Sequence, residues 1–405
     1  MSLFSPIRGL CPVPGLASEV ADLPYDVMDR DEAIAMAAGR PHSFLHVSRP
    51  DIDLPDDAPA SGDKAYALAA SAFARLRSAG ILVRDSAPGF HAYRITRAGH
   101  VQTGVVGGAS VAAYDRGRIR RHETTRPSKQ ADRAAHIEAV GAQTGPAFLI
   151  HRRSAQIAGV LGRVTSVPAP TSVIGPGRIR HEVWPIIDPE DVAGLEAAFD
   201  ALPVLYIADG HHRSAAASAV HARRGTAASA VFLAVAFPAD EVVILPYNRL
   251  VRAPEGVSAE QLLVAIQARF GVAAATSTVE PEKPGRFGLY IAGRWYLLTA
   301  PDEWREAADP ADRLDVAVLQ RHLLAPVLGI EDPRTDPRIG FVGGVRPLAE
   351  LEAAVDSGDW TAAFSLHPTT VANLLEVADS GGIMPPKSTW FEPKLLDGLV
   401  SHVLD

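Results

Sequence analysis

The chain has 405 residues, which is too long for one ordinary hydrophobic core and predicts two or three domains. Hydrophobic residues make up 47% and charged residues 21% of the sequence, and no apolar run approaches the roughly 20 residues of a membrane helix, so we expect a soluble protein without membrane spans. The net charge of -8 argues against a protein that coats nucleic acid, although a local basic patch could still hold a phosphate.

Two features bear on the cellular compartment. The first fifteen residues lack a basic segment followed by a long apolar one, so no secretory signal is predicted. Cys11 is the single cysteine, which excludes an intramolecular disulfide. We therefore expect a cytoplasmic protein.

Two helices are predicted in the first eighty residues. Residues 23–39 predict a turn and a short helix with Asp29 as its N-cap and Gly39 as its stop. Between the helices, residues 48–62 carry acidic residues and prolines, which predicts an extended surface loop. The second helix is predicted over residues 63–80, with the apolar stripe Ala65, Leu68, Ala72, Leu76 and Ala79.

Strand patterns begin at Phe90. Residues 90–99 and 101–111 predict short strands that are broken by glycines, which favour tight hairpins. Strand and helix patterns then alternate along the chain without a repeat. This alternation predicts an α/β protein with mixed α+β sheets.

The most basic stretch follows, between residues 116 and 133. Pro127 suits the first turn of a helix, with Thr125 or Arg126 just outside it. Lys129 and Arg133 then lie one turn apart on a face that could grip a phosphate. The alternative is a solvated charged helix. The charged residues of the stretch are Arg116, Arg118, Arg120, Arg121, Glu123, Arg126, Lys129, Asp132 and Arg133.

A polar cluster lies between a predicted strand at 203–208 and a predicted helix at 213–225. Its five residues are Asp209, Gly210, His211, His212 and Arg213. The free amides and the dipole of a helix N-terminus favour an anion, and glycine lets the main chain approach it closely. The arginine adds a planar fork that suits phosphate oxygens. This strand-to-helix turn is therefore a candidate phosphate site.

Asp209 would repel a bare phosphate. Its presence is explained if it binds a Mg²⁺ that bridges phosphate oxygens, or if it accepts a proton from an attacking hydroxyl. Two alternatives stay open. Asp209 could be a simple N-cap in a tight turn, or the two histidines could bind zinc with a third ligand such as His122 or His181.

The C-terminal part predicts a second α+β unit. Residues 285–300 predict a hairpin, 314–330 a helix interrupted near Pro326, and 360–382 a strand followed by a Thr-capped helix. Residues 341–346 resemble a strand that runs into a glycine turn. The pattern of predicted elements divides the chain into an N-terminal segment (1–112), a phosphate-binding core (113–252) and a C-terminal domain (253–405).

Near the C-terminus, residues 384–395 form a proline-rich segment, MPPKSTWFEPKL, with Lys387 as a cation. Such a loop could close over a bound nucleotide, with Trp390 or Phe391 excluding water or stacking on a base. The alternative is that these aromatics anchor the tail in the core.

Five motifs together resemble a known family. They are LPYD at 23–26, HETT with a following lysine and DR at 122–133, DGHHR at 209–213, FVGG at 341–344 and MPPKSTWFEPK at 384–394. This set resembles the bacterial and archaeal family catalogued as domain of unknown function 1015, over almost the whole chain. The DGHHR turn is also similar, more remotely, to the phosphate-binding turn of the ParB and sulfiredoxin superfamily, which includes the free serine kinases.

The resemblance implies a ParB/sulfiredoxin-like core. His211 stands where sulfiredoxin has its catalytic cysteine, so sulfiredoxin chemistry is not expected. The Asp-Gly-His turn and nearby arginine of the free serine kinases match Asp209, Gly210, His211 and Arg213. Those kinases use a further acidic residue to activate the serine hydroxyl. Glu123 and Asp26 are the candidates here, and Glu123 is preferred.

The sequence thus predicts a Mg²⁺-dependent phosphotransferase that uses ATP or ADP on a small hydroxylated metabolite, with free L-serine the first acceptor to test. Asp209, Glu123 and His211 are the predicted catalytic residues, and Tyr25 and Asp26 contact the substrate. The alternatives are a nucleotide-switched, non-catalytic ParB-like binding protein and a phosphate-ester hydrolase; no helix-turn-helix pattern supports a DNA partner. The predicted phosphate or nucleotide ligands are Gly210, His212, Arg213, Ser214, Thr124, Thr125, Arg126, Lys129, Arg133 and Lys387.

Overall fold

The computed structural model describes residues 2–405. The chain divides into two compact units. The first unit runs up to Val242 and resumes at Pro393–Asp405, and the second unit comprises Val243–Glu392. The three-part division predicted from the sequence, with boundaries at 112/113 and 252/253, stays a prediction. No helix in the described part of the chain has both the length and the apolar composition needed to cross a bilayer.

The strands are numbered in chain order. They are β1 (Phe4–Ser5), β2 (Gly9–Pro12), β3 (Leu82–Arg84), β4 (Phe90–Arg97), β5 (His100–Ser110), β6 (Ile119–Arg120), β7 (Ala142–Gln143), β8 (Ala147–His151), β9 (Thr171–Ile174), β10 (Arg180–Ile186), β11 (Leu205–Asp209), β12 (Val231–Pro238), β13 (Val243–Leu245), β14 (Tyr247–Val251), β15 (Gly271–Ala274), β16 (Arg286–Ile291), β17 (Arg294–Thr299), β18 (Ile339–Gly343), β19 (Ala362–Leu366), β20 (Trp390–Glu392) and β21 (Ser401–Val403).

The α-helices are numbered in the same way. They are α1 (Ala17–Val20), α2 (Arg30–Ala37), α3 (Leu45–Ser48), α4 (Asp63–Ser78), α5 (Val111–Asp115), α6 (Pro127–Val140), α7 (Ala155–Val164), α8 (Pro189–Asp200), α9 (His211–Arg224), α10 (Ala259–Gln267), α11 (Asp315–Leu319), α12 (Ala325–Leu328), α13 (Ala349–Asp356) and α14 (Val371–Asp379).

Nine strands of the first unit form one mixed sheet in the order β6-β11-β8-β12-β5-β4-β10-β9, with β1 also paired to β5. The β6–β11 and β8–β12 pairs are parallel. The glycines of β5 do not break it, contrary to the prediction. A Cβ at Gly107 would lie 2.7 Å from the ring of Phe4 and 2.8 Å from that of Phe90, so the glycine makes room for aromatic packing inside one long strand.

The first unit also contains a four-stranded sheet in the order β3-β2-β21-β7, next to a core that α4 helps to form. The prediction of α4 is confirmed, but its predicted stripe is partly wrong. Leu68 is half-buried and Ala79 is exposed, because the helix turns Ala69 and Phe73 inward. A broader apolar stripe than the predicted one therefore faces the core.

The predicted helix after residue 29 is confirmed as α2, and Asp29 caps it in a capping box with Glu32. The prediction that residues 48–62 are solvated is wrong at the start of this segment, where Ser48 is buried at the end of α3. Pro50 and Asp51 are buried in a short 3₁₀ helix. Burial of this carboxylate is possible because the Arg49 guanidinium lies 2.8 Å from it.

The second unit is built on a six-stranded antiparallel sheet in the order β15-β17-β16-β19-β14-β18, with a separate β13–β20 pair. The predicted hairpin at 285–300 and the Thr370-capped helix α14 are confirmed. The helix interrupted near Pro326 is also confirmed: a π-helical turn, Gln320–Leu324, separates α11 from α12. Pro326 has no amide hydrogen to donate, so the regular helical ladder cannot run through it.

Candidate functional site

The strand-to-helix turn predicted at residues 208–213 is confirmed. β11 ends at Asp209, Gly210 takes the N-cap position with φ of 93°, and α9 begins at His211, two residues earlier than predicted. A Cβ at residue 210 would lie 3.1 Å from the Cα of Ala147, so both the backbone angle and the space require glycine. No side chain caps α9, and the alternative that Asp209 is its N-cap is therefore wrong.

Asp209 accepts two short hydrogen bonds. Its Oδ1 accepts from the amide of Gly210 at 2.7 Å, and its Oδ2 accepts from Nζ of Lys394 at 2.9 Å. Burial opposes ionisation, but Lys394 and then Arg213, 3.7 Å away, outweigh it, so the pKa of Asp209 lies far below its usual range. Asp209 is therefore a fixed anion that holds two cations at the turn.

Arg213 connects the turn to the N-terminal LPYD motif. Its Nη1 donates to the carbonyl of Pro146 at 2.6 Å, and its Nη2 lies 3.9 Å from Asp26 and 3.7 Å from Asp209. Burial would lower the pKa of Arg213, but the carboxylates of Asp26 and Asp209 raise it above its usual value. The guanidinium stays charged although only 11% of the side chain is exposed.

Tyr25 and Asp26, the predicted substrate contacts, lie beside this arginine. The guanidinium of Arg133 stacks 4.3 Å from the centre of the Tyr25 ring, and burial raises the pKa of the Tyr25 phenol. The Asp26 carboxylate is 39% exposed. The structure thus brings the LPYD motif and the DGHHR motif together, although 183 positions separate Asp26 from Asp209 in the sequence.

A small cavity of about 30 Å³ is lined in part by Arg213. Residues that line it include Tyr25, Arg133, Thr144, Arg213 and Asp397. Its volume suits a water molecule or a small ion and not a nucleoside. Burial raises the pKa of Asp397 to about 7, against the opposing effect of Arg213. This carboxyl therefore titrates near neutral pH.

The basic segment lies next to the turn. β6 pairs with β11, and α6 packs on α9 through an apolar cluster that includes Ala134, Ile137, Ala216 and Val220. Of the predicted phosphate ligands in this segment, Arg133 lies near Arg213, and the Thr125 hydroxyl donates to Gln130 at 3.4 Å. Thr124, Arg126 and Lys129 are exposed at the start of α6, and Ser214 is buried with its hydroxyl on the Gly210 carbonyl.

His122, Glu123 and His211 form a second cluster at the turn. The two imidazole rings meet edge to face with centroids 4.5 Å apart, and the ligand atoms of the three residues lie within 4.8 Å of one another. Burial lowers the pKa of His122 to about 4 and that of His211 well below its usual value, so both are neutral at pH 7. If His211 contacts a phosphate, it would therefore do so as a neutral hydrogen-bond donor.

This cluster bears on the zinc alternative. It contains His211 and His122, with Glu123 as the third possible ligand, but not His212. His181 is engaged elsewhere, since its Nδ1 lies 2.8 Å from the hydroxyl of Tyr93. The cluster is thus a metal-capable arrangement of different composition from the one the sequence suggested.

Lys387 lies in the second unit. Its Nζ is 5.4 Å from the centre of the Tyr247 ring, and its carbonyl accepts from Arg249 at 2.9 Å. Trp390 packs against Tyr247 at 5.3 Å, and Phe391 is buried. These contacts fit the alternative in which the aromatics anchor the segment, and the nucleotide-closing role of Lys387 stays a prediction.

Two residues of the site, Lys394 and Asp397, are not among the predicted site residues. Lys394 follows Asp209 by 185 positions, and neither residue stands in a local pattern that points to the turn. The one available signal is that Lys394 ends the MPPKSTWFEPK motif. Both residues belong to the C-terminal segment that rejoins the first unit at Pro393.

Comparisons with known proteins agree with the motifs. The family model described as "Protein of unknown function (DUF1015)" matches residues 4–317. No curated protein matches the chain in sequence. Similar solved structures include a conserved hypothetical protein from Pyrococcus furiosus, with 13% identity and a TM-score of 0.35 over 73% of this chain and 93% of that one.

Two further solved structures are similar. A free serine kinase in complex with AMP has 11% identity and a TM-score of 0.35 over 71% of this chain and 86% of that chain. SbnI with a C-terminal truncation, from Staphylococcus aureus, has 11% identity and a TM-score of 0.40 over 72% of this chain and 85% of that chain. At these identities and TM-scores the similarities carry no conclusion about this chain. The mixed α/β class predicted from the sequence is confirmed.

Proposed function

We propose that this chain, which belongs to the family of proteins of unknown function DUF1015, is a nucleotide-dependent phosphotransferase that acts on a small hydroxylated metabolite. ATP or ADP is the phosphoryl donor, and free L-serine is the first acceptor to test. We expect the reaction in the cytoplasm. The observation that carries the proposal is the uncapped N-terminus of α9 with two fixed cations, Arg213 and Lys394, beside it.

The chemistry of this turn suits a nucleotide phosphate. An uncapped helix start presents main-chain N–H groups, and the helix dipole adds a partial positive charge. Arg213 supplies a planar fork for phosphate oxygens, and Lys394 supplies a compact charge. Both cations lie beside the start of α9 because Asp209 holds them there.

Asp209 has a positioning role in this proposal. One of its oxygens orients the Gly210 amide and the other orients Lys394. Protein kinases use a comparable carboxylate–lysine ion pair to place the lysine on the nucleotide phosphates. Asp209 and Asp26 are also the carboxylates that would hold Mg²⁺, which neutralises phosphate charge when it is bound.

Glu123 is the proposed general base. It is half-buried next to the neutral His211, at the edge of the turn. Its carboxylate takes the proton of the acceptor hydroxyl as that oxygen bonds to the terminal phosphorus of the nucleotide. The bond from this phosphorus to the bridging oxygen breaks, and the products are the phosphorylated metabolite and ADP or AMP. Arg126, Lys129 and Arg133 offset the charge of the phosphoryl group in transit.

The test is product analysis. Purified protein is incubated with Mg²⁺, ATP or ADP, and a panel of amino acids and sugars that includes L-serine, and phosphorylated acceptor, nucleotide products and free phosphate are quantified. We expect an acceptor-dependent phosphorylated product that is lost in Glu123→Gln. Glu138→Gln is the matched control, because Glu138 pairs with Arg224 at the far end of α9.

Two other results would reject the kinase assignment, and a third would reject only the role of Glu123. Free phosphate without a phosphorylated acceptor would indicate a hydrolase. Nucleotide binding without any product would indicate a nucleotide-switched binding protein. Equal loss of activity in Glu123→Gln and Glu138→Gln would remove Glu123 from the role of base.

A further inference from the structure

A separate cluster of metal-binding side chains in the first unit contains no residue of the five family motifs. It consists of Cys11 on β2, Asp85 just after β3 and His91 on β4. The Cys11 Sγ lies 3.6 Å from Nε2 of His91, and this same nitrogen lies 3.3 Å from Oδ2 of Asp85. The sulfur, the nitrogen and a carboxylate oxygen all lie within 4.8 Å of one another.

These distances match the edges of a tetrahedral zinc site. With Zn–S of about 2.3 Å and Zn–N and Zn–O of about 2.0 to 2.1 Å, tetrahedral angles place sulfur and nitrogen about 3.6 Å apart and nitrogen and oxygen about 3.4 Å apart. The observed separations of 3.6 and 3.3 Å agree with both values. Two of the three edges of the cluster therefore fit zinc, and the third, from sulfur to the carboxylate oxygen, lies within 4.8 Å.

The backbone holds the three residues in place. Cys11 pairs with Val83 in the β2–β3 ladder, and the Asp85 amide donates to the Gly9 carbonyl at 2.8 Å. A Cβ at Gly9 would lie 2.9 Å from both Asp85 Oδ2 and His91 Cε1, so glycine is what lets the strand approach the cluster. The His91 imidazole is almost fully buried, with 3% of the residue exposed. These features describe a rigid site.

We propose that Cys11, Asp85 and His91 bind one Zn²⁺, with water in the fourth position. A thiolate and an imidazole favour zinc over magnesium, which prefers oxygen ligands, so this site is distinct from the proposed nucleotide site. The Cys11 thiol gives its proton to solvent when the metal binds. Cys11 and Asp85 are partly exposed, which gives water access to the remaining position.

The ion would link two sheets of the first unit. β2 belongs to the four-stranded sheet and β4 to the nine-stranded sheet, and Cys11 and His91 are 80 positions apart in the chain. A cross-link that closes a long loop lowers the entropy of the unfolded chain most. Zinc should therefore raise the unfolding temperature of the native protein.

Cobalt substitution gives a specific test. After treatment with a chelator, the full chain is titrated with Co²⁺, and near-ultraviolet and visible absorption are recorded. Because Cys11 is the only cysteine, a sulfur-to-cobalt charge-transfer band can come from this site alone. We expect a charge-transfer band with accompanying tetrahedral bands in the visible range, displacement of this band by Zn²⁺, and its loss in Cys11→Ser and His91→Ala.

His122→Ala is the matched control, since it removes a ligand from the other metal-capable cluster and should keep the charge-transfer band. A mutation-free measurement guards against misfolded variants: Zn²⁺, but not Mg²⁺, should slow the reaction of the wild-type thiol with a disulfide reagent at least tenfold. No charge-transfer band in the wild-type protein, or a thiol that Zn²⁺ does not protect, would overturn the proposal. Neither result depends on whether the protein phosphorylates a metabolite.

Discussion

Two strand-to-helix turns, one in each unit, show how differently the same connection can be used. In the second unit, α14 follows β19 and begins behind Thr370. The Thr370 hydroxyl accepts from the Asn373 amide at 3.1 Å, and the Asn373 side chain accepts from the Thr370 amide at 3.2 Å. In the first unit, α9 follows β11 and begins behind Gly210, with no side-chain cap.

The difference lies in what satisfies the helix start. At α14 the two capping residues satisfy each other's amides and are uncharged, so this turn needs no ligand. At α9 the capping side chain is missing, while Asp209, Arg213 and Lys394 form a charged group beside the start of the helix. This contrast indicates that the cap of α14 stabilises the helix, whereas the uncapped start of α9 can bind an anion.

The largest expected effect comes from Asp209→Asn. Asparagine keeps the hydrogen bond from Gly210 but loses the charge that holds Lys394 and Arg213, so we expect at least a thousandfold loss of phosphotransfer, or about 4 kcal/mol of transition-state stabilisation. Circular dichroism should show a native fold. Normal turnover in this variant would show that the charged residues of the α9 turn, like the cap of α14, serve only the structure.

The second effect concerns pH and Asp397. Its folded pKa of about 7 lies above the unfolded value of 3.8, so the folded state keeps a proton that the unfolded chain releases between about pH 4 and pH 7. The free energy of unfolding should therefore fall as pH rises through this window, by up to about 1.4 kcal/mol per pH unit. Asp397→Asn should remove this slope, as measured by urea denaturation at several pH values.

Thr370→Ala provides the control for that experiment, because the α14 turn has no titrating group in its cap. It should keep the wild-type dependence on pH. A slope that survives in Asp397→Asn would show that other groups cause it.

The third prediction concerns the stability cost of replacing the glycines at the two ends of α9. Gly210→Ala should cost about 2 to 3 kcal/mol, since a left-handed angle and a contact with Ala147 both oppose the new methyl group. Gly225→Ala, at the C-cap with φ of 61° and no atom within 4 Å of the new Cβ, should cost about 1 kcal/mol. Chemical denaturation measures both, and equal costs would contradict the close packing of the turn.

The smallest effect is that of Thr370→Ala on stability. Loss of one N-cap hydroxyl should cost about 1 kcal/mol and leave nucleotide binding unchanged. A change in nucleotide affinity would contradict the prediction that only the α9 turn takes part in binding. Thermal unfolding and a nucleotide titration of the same sample check both parts.

Local patterns predicted the elements well where a physical signal was local. Asp29, Pro127 and Thr370 mark helix starts because capping and the proline ring act within one turn. The glycines of β5 misled the prediction, because what they accommodate is the rings of Phe4 and Phe90 from distant positions. Strand order was likewise out of reach, since it depends on contacts between remote segments.

The site divides in the same way. The DGHHR turn was identified because all its residues are consecutive and precede a helix pattern. Lys394 and Asp397 were missed because they reach the turn only when the C-terminal segment rejoins the first unit. The neutral state of His211 also needs the fold, since it follows from burial and from the neighbouring His122.

Calorimetric titration with ADP and ATP in the presence of Mg²⁺ tests the central claim, that the start of α9 binds a nucleotide phosphate. The wild-type protein and Thr370→Ala should bind with the same affinity, and Arg213→Gln should bind at least tenfold more weakly. Absence of binding by the wild-type protein, or equal binding by Arg213→Gln, would contradict it.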